Sequence, residues 1–297
     1  MRLKGTYTAI VTPFTASEEI DYEALKKLIH EQADAGVAGI VPCGTTGESP
    51  TLTHKEHLDV ITKVVTWSKE KRSDMAVIAG TGSNSTKEAI TLTSAAAEVG
   101  ADFALVVNPY YNKPTQDGMI QHFCKIADSS KIPIILYNIP GRTSIKLELE
   151  TIVELSRHEN IAGIKEATGD ISFMAQIIES VHENFALLSG DDNLLLPILS
   201  IGGKGVISVV SNLYPALAVQ MTAKYFAGDT EESKKIFYKL FPLMRAMFLE
   251  SNPIPVKYAL SVQKKIQNVL RLPLTPISKQ HESSIENILV ELEANND

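Results

Sequence analysis

Eight short apolar runs, each followed by a polar or glycine-rich turn and then by a helix-period stretch, constrain this chain more than any other feature. They fall at 6–11, 39–41, 76–79, 103–107, 134–137, 162–165, 186–188 and 205–208. Such near-continuous apolar runs are the signature of strands buried on both faces. Helices are predicted over 22–35, 54–68, 86–99 and 116–128, with Asp21, Thr53, Ser85 and Thr115 as their N-caps. Further helices are predicted over 146–157, 170–181, 191–201 and 214–226. Strand-then-helix alternation gives a parallel sheet covered by helices, and eight such units close a (β/α)8 TIM barrel. An open doubly wound sheet is the competing architecture. Polar residues cluster at the strand ends of nearly every unit, which suits the mouth of a barrel better than a single crevice.

After residue 226 the strand pattern stops. Helices are predicted over 230–247, 254–267 and 277–294, separated by Pro253, Pro255, Pro273 and Pro276. The expected organisation is a catalytic barrel over 1–226 and a C-terminal α-helical domain over 227–297, whose apolar faces pack on the barrel or on another subunit. A chain of 297 residues, 44% hydrophobic and 21% charged, is long enough to bury such a core. Its net charge of −7 and the absence of a basic block argue against nucleic acid as the main partner, while leaving room for a local cationic pocket. Two cysteines, Cys43 and Cys124, are too few for a disulfide framework and fit a reducing, cytoplasmic setting. The stretch 1–14 is interrupted by threonines and Pro13, so it reads as a strand and not a signal peptide. No apolar run reaches membrane-spanning length.

The strand ends carry the chemistry. Lys165 closes the sixth run, in Gly163-Ile164-Lys165-Glu166-Ala167-Thr168. A lysine amine in largely apolar surroundings loses hydration of its ammonium form and becomes able to attack a carbonyl; a solvated strand-end lysine does neither. Gly44-Thr45-Thr46-Gly47-Glu48 follows the second run and offers two hydroxyls and unhindered backbone N–H groups, as a carboxylate-binding loop would. Asn108-Pro109-Tyr110-Tyr111-Asn112 follows the fourth run, and Tyr137-Asn138-Ile139-Pro140-Gly141-Arg142 closes and follows the fifth. A phenol can relay a proton and a guanidinium can fork onto a carboxylate. Cys43 lacks a histidine placed as its base and is expected to be a small buried residue. Ser189-Gly190-Asp191-Asp192 is expected to form a turn and helix cap. His54 and His57 are one helical turn apart, with no third ligand at matching spacing for a metal.

Taken together with Ser189–Asp192, Gly205-Val206-Ile207-Ser208 and Asn252-Pro253-Ile254-Pro255-Val256-Lys257, these strings resemble, essentially end to end, the dihydrodipicolinate synthase and N-acetylneuraminate lyase family of pyruvate-dependent class I aldolases. Thr45 and Arg142 match the synthase branch. The resemblance implies that Lys165 forms an imine with pyruvate, Thr46 binds the pyruvate carboxylate, and Tyr137 is the general acid/base. It links Tyr137 through the Thr45 hydroxyl to Tyr111 of a neighbouring subunit. It implies further that Arg142 receives the carboxylate of L-aspartate 4-semialdehyde, that the backbone at Gly190 and Ile207 lines the pocket, and that no metal or organic cofactor is needed. Cytoplasmic lysine and diaminopimelate biosynthesis and a homotetramer built of dimers follow from the same resemblance. So does an allosteric L-lysine site at a dimer interface, formed by Pro50, His54, His57, Asn84, Glu88 and Tyr110, with Pro50 standing where alanine is common. A related aldolase acting on a keto-deoxy sugar acid or hydroxy-oxo acid, and a non-catalytic keto-acid-binding barrel, are the alternatives.

Overall fold

The computed structural model describes residues 3–294, so the outermost residues of the two expected domains lie outside it. Among the described residues eight strands pair in parallel in chain order, and the last closes on the first. They are β1 (Gly5–Ala9), β2 (Gly39–Val41), β3 (Ala76–Gly80), β4 (Phe103–Val107), β5 (Ile134–Asn138), β6 (Ile161–Glu166), β7 (Ala186–Ser189) and β8 (Gly205–Ser208). The expected (β/α)8 barrel is therefore the fold. Side chains alternate across each strand. One set, including Tyr7, Ile78, Leu105, Ile135, Leu188 and Ile207, fills the interior. The other, including Ile40, Val106, Leu136 and Ile164, meets the helices.

The helical layer comprises α1 (Tyr22–Asp34), α2 (His54–Lys71), α3 (Thr86–Glu98), α4 (Gln116–Ser129), α5 (Pro140–Thr143), α6 (Leu149–Ser156), α7 (Ile171–Ser180), α8 (Leu195–Ser200) and α9 (Pro215–Phe226). The side chains of Asp21, Thr53, Ser85 and Thr115 accept from backbone N–H groups three residues on, satisfying donors that have no partner within the helix. At Thr53 this becomes a full capping box, because Glu56 bonds back to the Thr53 N–H.

Three predicted helices are shorter than their periodicity suggests. Residues 146–148 stay outside α6, since Asn138 Oδ1 claims the Leu147 N–H at 3.1 Å. Residues 192–194 form a 3-10 turn before α8. The C-terminal helices are α10 (Thr230–Ala246), α11 (Ile254–Val262) and α12 (Lys279–Ala294). Here α11 stops early, with Gln263 as its C-cap and Lys264 in the left-handed region at φ 58°. Leu240, Leu243, Val256, Leu260 and Leu289 from this part share one core with Leu25, Leu28, Val60 and Val64 of α1 and α2. The C-terminal helices thus pack on the barrel of their own chain, and their connections reach its mouth.

Candidate active site

Register places Tyr137 and Lys165 side by side. In the β5–β6 pairing Ile135 faces Gly163 and Tyr137 faces Lys165. Tyr137 therefore lies two positions beyond the interior residue Ile135, on the same face, and Lys165 is its cross-strand neighbour. The Lys165 ammonium lies 4.2 Å from the centre of the Tyr137 ring, and both residues are only 6% exposed. Lys165 is the penultimate residue of its strand, not its end. Gly190 is required by close packing beside Lys165: a Cβ there would sit 2.6 Å from Ala167 Cβ, 3.2 Å from the Glu166 carbonyl oxygen and 3.3 Å from Lys165 Cε. Ile207 is fully buried in the barrel interior, paired with Tyr7.

The opposite face of the same two strands carries a polar chain. Asn138 Nδ2 donates to Glu166 Oε2 at 2.8 Å, and Asn108 Nδ2 donates to Asn138 Oδ1 at 2.9 Å. The Thr168 N–H donates to Glu166 Oε1 at 2.6 Å. Burial pushes the Glu166 carboxyl above its ordinary range, while Thr168, Asn138 and the Lys146 charge pull it back. This network ties the ends of β4, β5 and β6 together beneath the Tyr137–Lys165 pair.

The Asp191 and Asp192 carboxylates lie close enough to Lys165 to feel its charge. Burial pushes Asp192 up, and hydrogen bonds from Ser208, Val210 and Val209 together with the Lys165 charge draw it down. Asp192 Oδ2 accepts the Val209 and Val210 N–H groups at 2.8 and 3.0 Å. The expected helix cap at Asp191-Asp192 is thereby corrected, because Asp192 pins the β8 loop and neither side chain caps the turn that follows.

The Gly44–Glu48 loop is held from the C-terminal part of the chain. Thr46 is buried, and its Oγ1 accepts from Asn252 Nδ2 at 2.9 Å. Glu48, at φ 54°, and Lys257 form an ion pair at 2.5 Å with both side chains 0% exposed. Lys257 also donates to the Thr12 carbonyl at 3.0 Å and lies 4.2 Å over the Phe14 ring. Burial lowers the Lys257 ammonium's pKa, and the Glu48 carboxylate opposes that shift. The Arg271 backbone N–H donates to the second Glu48 oxygen, while its guanidinium forks onto Glu56. Asn252, Lys257 and Arg271 had no assigned role in the sequence reading. The first two were visible only as letters of the Asn252–Lys257 string, and their partners lie more than two hundred residues away.

A cavity of about 430 Å³ opens at this mouth, and its lining includes Thr45, Tyr137, Ile139 and Arg142 together with Pro50, His54, His57, Glu88 and Tyr110. Arg142, on α5, donates from Nη2 to the Asn252 backbone carbonyl at 3.1 Å. His54 pairs with Glu88 at 3.1 Å, and Ser83 Oγ donates to the other Glu88 oxygen. His57 Nε2 donates to the Gly80 carbonyl at 2.7 Å, and burial lowers its pKa. Asn84 Nδ2 donates to the Tyr110 carbonyl at 3.1 Å, and Asn112 Nδ2 donates to the Asn84 carbonyl at 2.9 Å. Five of the six residues expected at an effector site thus line the cavity, and the sixth, Asn84, is bonded to one of them, Tyr110. Lys165, Thr46, Gly190 and Ile207 lie outside the lining of this cavity. Tyr111 stands apart from Tyr137, 90% exposed on the loop after β4 with φ 72°. Cys43 is buried and its Sγ donates to the His57 carbonyl at 3.6 Å; burial pushes its thiol pKa up, so it is not an activated nucleophile.

A model of the dihydrodipicolinate synthetase family matches residues 2–292. A protein of Leptospira biflexa named 4-hydroxy-tetrahydrodipicolinate synthase is 56% identical over 276 residues, covering 93% of this chain and 92% of its own. The chain also superposes, with a TM-score of 0.95, on the chloride-inhibited dihydrodipicolinate synthase of Acinetobacter baumannii complexed with pyruvate, 42% identical, with 98% and 99% of the two chains covered. The corresponding enzyme of Cyanidioschyzon merolae with lysine bound gives a TM-score of 0.94 at 39% identity, with 98% of each chain covered.

Proposed function

The chain belongs to the dihydrodipicolinate synthetase family, and from that footing we propose that it condenses pyruvate with L-aspartate 4-semialdehyde to 4-hydroxy-tetrahydrodipicolinate in diaminopimelate and lysine biosynthesis. The observation that carries this reading is the buried Lys165 amine 4.2 Å from the Tyr137 ring at the mouth of the barrel. Both the family's name and the chemistry such a pair can perform point the same way.

In the mechanism we assign, the free amine of Lys165 attacks the keto carbon of pyruvate, whose carboxylate is held by the Thr46 hydroxyl, and water leaves to give an iminium. The iminium acidifies the adjacent methyl. Tyr137, in relay with Thr45 and the partner subunit's Tyr111, removes that proton to give an enamine. The enamine carbon attacks the aldehyde of the second substrate, whose carboxylate is received by Arg142, and the relay returns a proton to the alkoxide. The product's amine then adds to the iminium carbon, closing the ring and releasing Lys165. Positioned proton transfer of this kind contributes roughly 10²- to 10⁴-fold. Holding both reactants in place contributes roughly 7–11 kcal/mol. No step calls for a metal or organic cofactor.

The exposure of Tyr111 supports its service to a partner subunit, within a tetramer built of dimers. The two free cysteines fit a cytoplasmic location, and no helix among the described residues is long and apolar enough to cross a membrane. L-lysine is the proposed inhibitor. The Glu88 carboxylate, already paired with His54 at the cavity wall, suits a ligand ammonium, and a relative with lysine bound has the same fold. A coupled assay with pyruvate and the semialdehyde, with and without lysine, tests the whole reading. Faster turnover of a keto-deoxy sugar acid or hydroxy-oxo acid than of the semialdehyde would overturn the substrate assignment.

A further inference from the structure

Asn252 lies at the junction of α10 and α11, 206 residues from Thr46 and 110 from Arg142 in the chain, yet it bonds to both. Its side-chain Nδ2 donates to Thr46 Oγ1, and its backbone carbonyl accepts from Arg142 Nη2. It is 6% exposed, and its Oδ1 is buried without a hydrogen-bond partner. An orphaned buried amide oxygen is unfavourable. Here it accompanies an arrangement in which the amide nitrogen, not the oxygen, meets the threonine. Its backbone is anchored, because α11 begins two residues on and Lys257 in the first turn of that helix is locked to Glu48.

The polarity of this bond has a chemical consequence. A hydroxyl offers one proton and accepts at its lone pairs. With Asn252 filling an acceptor position on Thr46, the Thr46 proton is left for another acceptor. We propose that Asn252 is a positioning residue for the condensation: it turns the Thr46 O–H toward the keto-acid carboxylate and, through its backbone carbonyl, seats the guanidinium for the second carboxylate. One residue of the C-terminal segment thereby sets the two anion-binding groups in register. This rests on the reading of Thr46 as the ligand of the pyruvate carboxylate.

Borohydride trapping of the pyruvate imine, titrated with pyruvate, separates the possibilities. Asn252→Ala removes the side-chain donor and keeps the carbonyl. It should raise the half-saturating pyruvate about tenfold, near the worth of one hydrogen bond to a charged group, with the same imine yield at saturation and an aldehyde KM changed by less than about threefold, since Arg142 keeps the carbonyl that seats it. Asn252→Asp keeps the shape but offers Thr46 an acceptor, so the hydroxyl turns away, and the half-saturation should rise further than in the alanine variant. In a Thr46→Val background Asn252→Ala should add nothing. An Asn252→Ala effect that persists undiminished in that background overturns the positioning role, as does an unchanged half-saturation in Asn252→Ala when Thr46→Val raises it. Loss of the fold in both Asn252 variants would make the residue structural and overturn it too. If Thr46→Val itself leaves the pyruvate titration unchanged, the carboxylate assignment fails instead.

Discussion

Replacing Lys257 with methionine should be among the most damaging single changes in this protein, although Lys257 touches no proposed substrate. The ammonium and the Glu48 carboxylate are 2.5 Å apart with both side chains 0% exposed. Removing one member of such a pair leaves the other charge buried and uncompensated, at a cost of about 3–5 kcal/mol. The Thr12 carbonyl loses its donor as well. With an unfolding entropy of about 2.1 cal/mol/K per residue and 297 residues, that cost corresponds to a Tm lowered by roughly 5–8 °C. Scanning calorimetry measures the shift, and pyruvate titration of imine trapping measures the accompanying loosening of Thr46, two residues from Glu48. The partner change decides the cause. Glu48→Gln in the Lys257→Met background removes the stranded charge and should restore at least half of the lost stability, as a neutral buried pair does. A Lys257→Met protein less than about 1 kcal/mol below the parent, or a double variant no more stable than the single one, would refute the view that a stranded carboxylate drives the loss.

The remaining predictions concern the mouth and one buried histidine. Arg142→Ala should leave pyruvate trapping intact and lower kcat/KM for the semialdehyde by roughly 10- to 150-fold, the worth of a hydrogen bond to a charged group; equal loss of both would contradict its role. If lysine inhibits, Glu88→Gln should raise the half-inhibitory lysine about tenfold or more while uninhibited turnover is retained; a rate indifferent to millimolar lysine in the parent enzyme removes the effector reading. His122 is buried against Phe123, with Nδ1 bonded to Thr86 Oγ1, Nε2 without a partner, and a pKa lowered by burial to about 4. Between about pH 6.5 and 4 the unfolded chain takes up a proton that the native one refuses. Stability therefore falls as pH drops through this window, by about 2 kcal/mol at pH 5. His122→Asn should lose about 3 °C less Tm between pH 8 and pH 5 than the parent; an unchanged drop would contradict it.

The barrel was legible because its strands are buried on both faces and its first helices announce themselves with caps: Asp21, Thr53, Ser85 and Thr115 cap as expected. Helix boundaries read from periodicity erred where a side chain outside the helix competed for its first turn, or, at α11, where the backbone turned left-handed at Lys264. Leu147 gives its N–H to Asn138, and Asp192 gives its carboxylate to the β8 loop. The candidate site divides along the same line. Lys165, Tyr137, the Gly44–Glu48 loop and Arg142 lie in the last residues of a strand or in the segment just after it, where local sequence shows them. Lys257 comes from α11, and Asn252 and Arg271 from the connections on either side of it, in a segment whose pattern reports only its apolar faces. Their partners are fixed by how that segment packs on the barrel, which no local periodicity encodes.

Lys165 as the imine-forming amine remains the centre of the proposal. The most direct measurement is reduction of the protein with borohydride in the presence of pyruvate, followed by mass mapping of the peptides. The predicted result is a single reduced pyruvate adduct on Lys165, lost entirely in Lys165→Ala. An adduct on another lysine, or trapping that survives in Lys165→Ala, would contradict it.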